Sequence, residues 1–347
     1  MIKASSFNRL LDGRKVGLYT LRGNNRMQLQ LTNYGAKIVS WLVPDREGRM
    51  ADVVLGFSTL DEWLAQEPYF NGINGRCTGR IRYGRFTLDG KTYQLVCNSG
   101  ENALHGGIHG FNEKVWEVIH QTPHSITLHY RSDDGEEGYP GNLSVTVTYT
   151  LTRTNALSIR YQARTDAPTI LNLTNHAYFN LKGEGQGDIR DHSLQVFANE
   201  YIPYDETVSP TGEVLTVEGT PMDFRQPVRL QERIDTPFFA PGKGIDNGWA
   251  LPGWNEFGSK VKTPRKAGIL QGGSRRMEVW TNFPCLQVYS GNYLEGYKGK
   301  SGVPYGVQTA ICLEAQGFPD AINQPNFPSP VLRPGETFEG ETLYRFV

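Results

Sequence analysis

The 347-residue chain is poor in several features that would narrow its role at once. It has four cysteines, Cys77, Cys97, Cys285 and Cys312, and no Cys-x-x-Cys pair. That argues against a structural zinc site or a disulfide framework, and for free thiols in a reducing compartment. No apolar run approaches the roughly 20 residues of a membrane helix. The opening Met1-Ile2-Lys3-Ala4-Ser5-Ser6-Phe7-Asn8 lacks the apolar centre of a signal peptide, so the expected location is the cytoplasm. Neither charge is in excess: 35 Lys and Arg against 36 Asp and Glu leave a net charge of −1. This gives no electrostatic case for nucleic acid or for an anionic membrane. Short repeats, low-complexity linkers and shifts of composition are also absent. Residues 1–347 are therefore expected to form one domain.

What is abundant is turn chemistry and aromatic surface. The 39 glycines, with Pro and Asn, punctuate the chain often, and 17 tyrosines and 6 tryptophans lie between them. Period-two alternation recurs, as in Val16–Leu21 and Met27–Thr32 about the polar Gly23-Asn24-Asn25, which predicts a hairpin. Ile38–Val43 predicts a third strand ended by Pro44. Arg85–Leu95 predicts a hairpin turned by Asp89-Gly90. Further strands are expected at 115–118, 125–130, 143–151, 157–164, 193–198, 277–281, 286–290 and 310–314. Helical starts are few; Asp61-Glu62-Trp63-Leu64 is a short one. Long loops fall at 203–210, 237–247 and 297–304, and loops of that length in a compact domain are usually functional. The expected class is all-β, built from many short antiparallel strands with few short helices.

Three stretches carry the chemistry. Thr174-Asn175-His176-Ala177-Tyr178-Phe179-Asn180-Leu181 sets an imidazole in an apolar, strand-like run, where its surroundings can fix tautomer and pKa. A core histidine satisfied by a carbonyl is the plainer reading of the same residues. Glu314 follows the apolar Thr309-Ala310-Ile311-Cys312-Leu313. A carboxylate there is costly unless paired, with an arginine such as Arg80 or Arg333, or used. His105 lies in Leu104-His105-Gly106-Gly107, whose glycines admit close backbone approach. Asp246 reads as a turn aspartate and Arg80 as either a surface charge or a ligand fork. The histidines at 109, 120, 124, 129 and 192 read as surface positions.

Taken in order, these stretches resemble the signature of the aldose 1-epimerase (galactose mutarotase) family. The resemblance rests on Leu104-His105-Gly106-Gly107 with Gly110-Phe111 and Trp116, on Asp134–Gly141, on Thr174–Leu181, on Gln287–Leu294, on Leu313-Glu314-Ala315-Gln316 and on Leu332–Glu336. It covers nearly the whole chain. It implies a large antiparallel β-sandwich, the galactose mutarotase-like supersandwich, with the site on an open sheet face. It also implies that Glu314 is the base and His176 the acid in interconverting the anomers of a free glucose- or galactose-type aldose. His105, Arg80 and Asp246 match sugar-binding positions, and Asn175 and Tyr178 are expected beside the sugar. Tyr178, Phe283 and Tyr289 are candidates for stacking on its ring. The chain departs from the family at Gly79, where Asn is frequent, and at Asn247, where His is frequent.

The implied reaction needs neither metal nor cofactor, and its partner is a small monosaccharide. The working state expected is an ionised glutamate and a protonated histidine, with a nearby negative charge raising the histidine. The assembly expected is a monomer or homodimer. Three other readings use the same residues. One is an epimerase for a phosphorylated hexose, drawing on Arg76, Arg80, Arg82 and Arg85. Another is a non-catalytic carbohydrate-binding protein of the same fold. The third is a metal triad of His105, His176 and Glu314.

Overall fold

The computed structural model describes residues 1–66, 69–256 and 262–347. Its framework is a nine-stranded antiparallel sheet facing a six-stranded and a four-stranded one. In the large sheet Glu117–Gln121, Ser125–Ser132, Leu143–Leu151 and Ala156–Thr165 run as a meander. The C-terminal strand Phe338–Phe346 then inserts between Ala156–Thr165 and Arg275–Thr281. The opposite layer contains the hairpin of Leu18–Arg22 with Gln28–Thr32, continued by Ile38–Pro44. It also contains the six-stranded sheet, in which Tyr178–Phe179, Ile311–Gln316, Cys285–Tyr289 and Asp246–Ala250 are successive neighbours.

Alternation explains the core. Val145, Val147 and Tyr149 from the large sheet meet Leu286, Val288, Leu313 and Ala315 from the six-stranded one and Leu29, Leu31 and Trp41 from the four-stranded one in a single apolar cluster. Hydrogen bonds cross it: the Tyr344 hydroxyl donates to the Leu313 carbonyl at 2.8 Å, and Tyr149 to that of Ala36 at 2.7 Å. These two tyrosines thus keep their polar ends satisfied while their rings fill the layer between sheets.

The all-β architecture with few short helices matches the sequence expectation. The helix at Leu60–Ala65 is closed by a capping box, with Thr59 and Glu62 each bonded to the other's backbone N–H. One expectation changes form. The run from 168 to 181 is not one strand but three short pieces, Thr169–Ile170, Thr174–Asn175 and Tyr178–Phe179, each paired with a different partner. Its residues are almost all buried, and only its last piece, Tyr178–Phe179, belongs to one of the large sheets. Of the longer strands, Arg265–Gly272, the nine-residue Phe338–Phe346 and Asp246–Ala250, whose first residue read as a turn aspartate, escaped the sequence reading.

Candidate active site

The strand Ile311–Gln316 sorts its side chains by period two. Ile311, Leu313 and Ala315 enter the core between the sheets, which leaves Cys312, Glu314 and Gln316 on the other face. Register then assembles a floor. Gln287 stands opposite Glu314 on the neighbouring strand, and Asp246 stands opposite Tyr289 on the next. Glu314, Gln287, Tyr289 and Asp246 line one cavity of about 200 Å³, together with His176, His105, Arg80 and Tyr178.

His176 is fixed from both sides of its peptide: its N–H donates to Gly72 O at 3.0 Å and its carbonyl accepts from Asn71 N at 2.9 Å. Its ring stacks on Tyr178, centroids 5.0 Å apart and planes 17° from parallel. Nε2 lies 3.6 Å from Glu314 Oε1, and the two residues are only 5% and 2% exposed. Glu314 Oε2 and His176 Nδ1 have no protein hydrogen-bond partner among the described residues. The pair is close, buried and unsatisfied, which is costly in a merely structural group.

Burial sets its charge. Desolvation drives the Glu314 carboxyl well above the ordinary value, and the Asp246 carboxylate pushes the same way. Desolvation likewise lowers His176 to about 3, with Lys37 adding to the effect. The expected raising of the histidine by a nearby negative charge is not what its surroundings produce: desolvation lowers it instead. Both shifts favour the neutral forms, carboxylic acid and imidazole, because an ion pair here would forfeit the hydration of two charges.

His105 takes the left-handed conformation, φ 51°, on its glycine-rich turn. The half-buried ring packs against Tyr69 and lies 5.3 Å, centroid to centroid, from the His176 ring. Opposite it, Asp246 accepts from Gln287 Nε2 at 2.8 Å and lies 4.0 Å from Arg80 Nη1. The Tyr204 hydroxyl donates to Gln287 Oε1 at 2.7 Å, so the amide orientation is set from both ends.

Of the predicted site residues, Glu314, His176, His105, Arg80, Asp246 and Tyr178 converge on this cavity. Asn175 does not. Its amide is buried and donates to Asn71 O at 3.0 Å and to the Tyr149 hydroxyl at 3.4 Å, so it braces the backbone behind His176. Phe283 is also corrected: it is fully buried against Tyr161 and Phe338, whereas Tyr178 and Tyr289 reach the cavity. Arg333 does not serve Glu314; it pairs with Asp89 at 2.8 Å. His192, read as a surface residue, is fully buried, while His109, His120 and His124 are exposed. Sequence reasoning missed Gln287, Gln316 and Tyr204. The first two carried a usable signal, a polar residue in an otherwise apolar strand, alternating with the core-facing positions.

Three possible metal donors, on His176, Cys312 and Glu314, lie within 4.8 Å of one another. This is not the triad with His105 that the sequence suggested. The imidazole and the carboxylate of that group are the two of the buried His176–Glu314 pair.

A buried carboxyl–imidazole pair at the floor of a small, ring-lined cavity on a β-sandwich is a candidate site for proton transfer on a small polar substrate. Comparison with known proteins narrows this. The family model for aldose 1-epimerase matches residues 17–345. The galactose mutarotase of Homo sapiens is 41% identical over 321 residues, 92% of this chain and 91% of that protein. The aldose 1-epimerase of Escherichia coli K12 is 37% identical over 97% of this chain and 96% of its own. A crystal structure of a GalM/aldose epimerase homologue from C. elegans superposes with a TM-score of 0.86 at 30% identity, covering 96% of this chain and 99% of that one. The chain belongs to the aldose 1-epimerase family, and it is an isomerase of the epimerase class.

Proposed function

We propose that the chain interconverts the α and β anomers of a free aldose of the glucose or galactose type, with Glu314 as base and His176 as acid. The observation that carries this reading is the separation of 3.6 Å between His176 Nε2 and Glu314 Oε1 in a buried cavity. The anomeric hydroxyl and the ring oxygen share one carbon, so two groups this close can each reach one of them. Glu314 takes the proton from O1 while the bond from C1 to the ring oxygen breaks. His176 gives its proton to that oxygen. The aldehyde turns about C1–C2, and closure on its other face reverses both transfers.

The neutral pair has a place in this cycle. With the cyclic sugar the pair must be carboxylate and imidazolium; with the open aldehyde it is carboxylic acid and imidazole. The proton count is the same in both. Burial favours the second arrangement, so the site offsets part of the cost of opening the ring. Arg80, Asp246, Gln287 and His105 orient the hydroxyls, and Tyr178 and Tyr289 supply ring faces.

The phosphorylated-hexose reading loses its support. Arg80 alone of the four arginines lines the cavity; Arg76 donates to the carbonyls of Pro140 and Gly141, Arg82 pairs with Asp205, and Arg85 is exposed. In the same reading residues 1–347 act as one domain, as monomer or homodimer, in the cytoplasm. Four free cysteines and the lack of a described helix able to cross a membrane agree with it. The direct test is polarimetry on freshly dissolved α-galactose and α-glucose. Glu314→Gln should lose about 10²-fold or more in turnover while keeping its fold. Near-normal turnover in that variant would falsify the assignment.

A further inference from the structure

His105 reaches the cavity from the turn Leu104–Gly107, and the turn is tied down at many points. Asn98 accepts from Leu104 N at 2.7 Å and donates to Leu104 O at 3.0 Å, to Gly107 O at 2.9 Å and to the Tyr69 hydroxyl at 3.2 Å. A Cβ on Gly106 would stand 1.9 Å from the Gly75 carbonyl oxygen, so this turn sits directly on the loop that leads to Arg80. The ring of His105 is held as firmly as its backbone. The Gly79 N–H points at Nδ1 from 3.3 Å, and Thr78 Oγ1 lies 3.1 Å from the same nitrogen. A backbone N–H can only donate, so Nδ1 carries no proton and the Thr78 hydroxyl donates to it. The proton is then on Nε2, the ring nitrogen with no protein partner among the described residues.

We propose that Thr78 is a positioning residue that locks His105 as the Nε2–H tautomer, making it a fixed, uncharged hydrogen-bond donor to a sugar oxygen. Thr78 is itself 2% exposed and reaches no substrate, so it acts through the imidazole alone. Beside it Gly79 matters for its N–H and for its lack of a side chain. Its φ is +75°, and a Cβ would meet Pro319 at 2.9 Å, on the wall of the same cavity. The Thr78-Gly79 dipeptide thus aims two donors at one nitrogen. A donor-only histidine discriminates between ligands: an acceptor oxygen at that point is welcomed, and a second donor is refused. Because desolvation and the neighbouring His176 and Arg80 also hold His105 well below the usual histidine range, the donor persists through neutral pH.

The inference rests on His105 touching the sugar, and the experiment separates the two ideas. Nitrogen-15 NMR of the ligand-free protein reads the tautomer without any turnover. Wild type should show a protonated Nε2 and a bare Nδ1 for His105. The nearly isosteric Thr78→Val should give a mixture, with KM for galactose raised about fivefold and kcat little changed. Thr78→Ser restores the hydroxyl and should restore both readings. An Nδ1–H tautomer in wild type overturns the proposal, as does Thr78→Val with an unaltered tautomer and KM. If Thr78→Val does not fold, the wild-type spectrum and the comparison of Thr78→Ser with Thr78→Ala decide in its place. A correct tautomer whose loss leaves KM untouched tells against His105 as a sugar contact, and so overturns the proposal at that step.

Discussion

At the level of single residues the site is governed by burial more than by charge. His176 and Glu314 face each other, and desolvation shifts both toward their neutral forms. This bears on the pH profile. The free enzyme is competent while the pair holds one proton. It loses competence when His176 takes a second proton, at about 3, or when the raised Glu314 carboxyl gives its proton up. A plot of kcat/KM against pH should therefore show no acid limb at the ordinary histidine value near 6.5. Its decline should come on the alkaline side, above the usual carboxylate range. An acid limb centred near 6.5 would mean that the imidazole works as a freely solvated cation, contrary to its surroundings. The sequence made His176 and Glu314 legible because each is a polar group in an apolar run. It gave no access to their protonation, which depends on what folds over them. His192 illustrates the same limit: one imidazole in a polar stretch, Asp188–Ser193, reads as exposed, and only the packing of Gly272 against its ring shows otherwise.

At the level of elements, register does the assembling. Gln287, Glu314, Tyr289 and Asp246 come from three strands that are adjacent only through hydrogen bonding, and all four point the same way because the side-chain period is two. Alternation within each strand was readable; which strand pairs with which was not, since pairing depends on contacts distant in sequence. The run from 168 to 181 shows the converse, one largely apolar stretch that takes three different partners in turn. Close approach between elements yields a second prediction. Gly272 ends the strand Arg265–Gly272, and a Cβ there would stand 2.2 Å from His192 Nε2. That nitrogen accepts from Leu181 N at 3.0 Å, so the ring cannot retreat without breaking the bond. Gly272→Ala should destabilise the fold by about 1–3 kcal/mol, as overpacking of a filled core does. The readout is the urea midpoint at neutral pH, and no shift in it would mean that the ring has room to move.

For the whole molecule, the all-β class was legible from turn spacing and alternation and the sandwich through the family resemblance, while the central place of the last strand, Phe338–Phe346, was not. What joins the layers is partly polar, and His192 is the telling case. Its Nε2 accepts from Leu181, just beyond the six-stranded sheet, and its face lies against Gly272 of the nine-stranded one. Its Nδ1 is 3.1 Å from Asp191 Oδ1. A proton added to Nε2 would point at the Leu181 N–H, so the folded protein resists it; burial lowers this histidine to about 4. The sign follows directly. The unfolded chain binds this proton near pH 6.5 and the folded chain only near 4, so the stability is fully present above 6.5 and is lost as pH falls toward 4. The loss for this one group is on the order of 3 kcal/mol. Glu314, raised by burial, acts in the opposite sense, its contribution being present at low pH and lost as pH rises, while the lowered His176 and His105 act as His192 does, so the net curve of the wild type blends them all. The separating variant is His192→Gln, whose Oε1 can accept from Leu181 N and cannot be protonated. It should be less stable than wild type at pH 7.5, where the native ring packs best. The gap between the two urea midpoints should then narrow steadily between pH 6.5 and pH 4.5. Two curves that stay parallel across that range would mean that His192 is not the proton-sensitive pin between the layers.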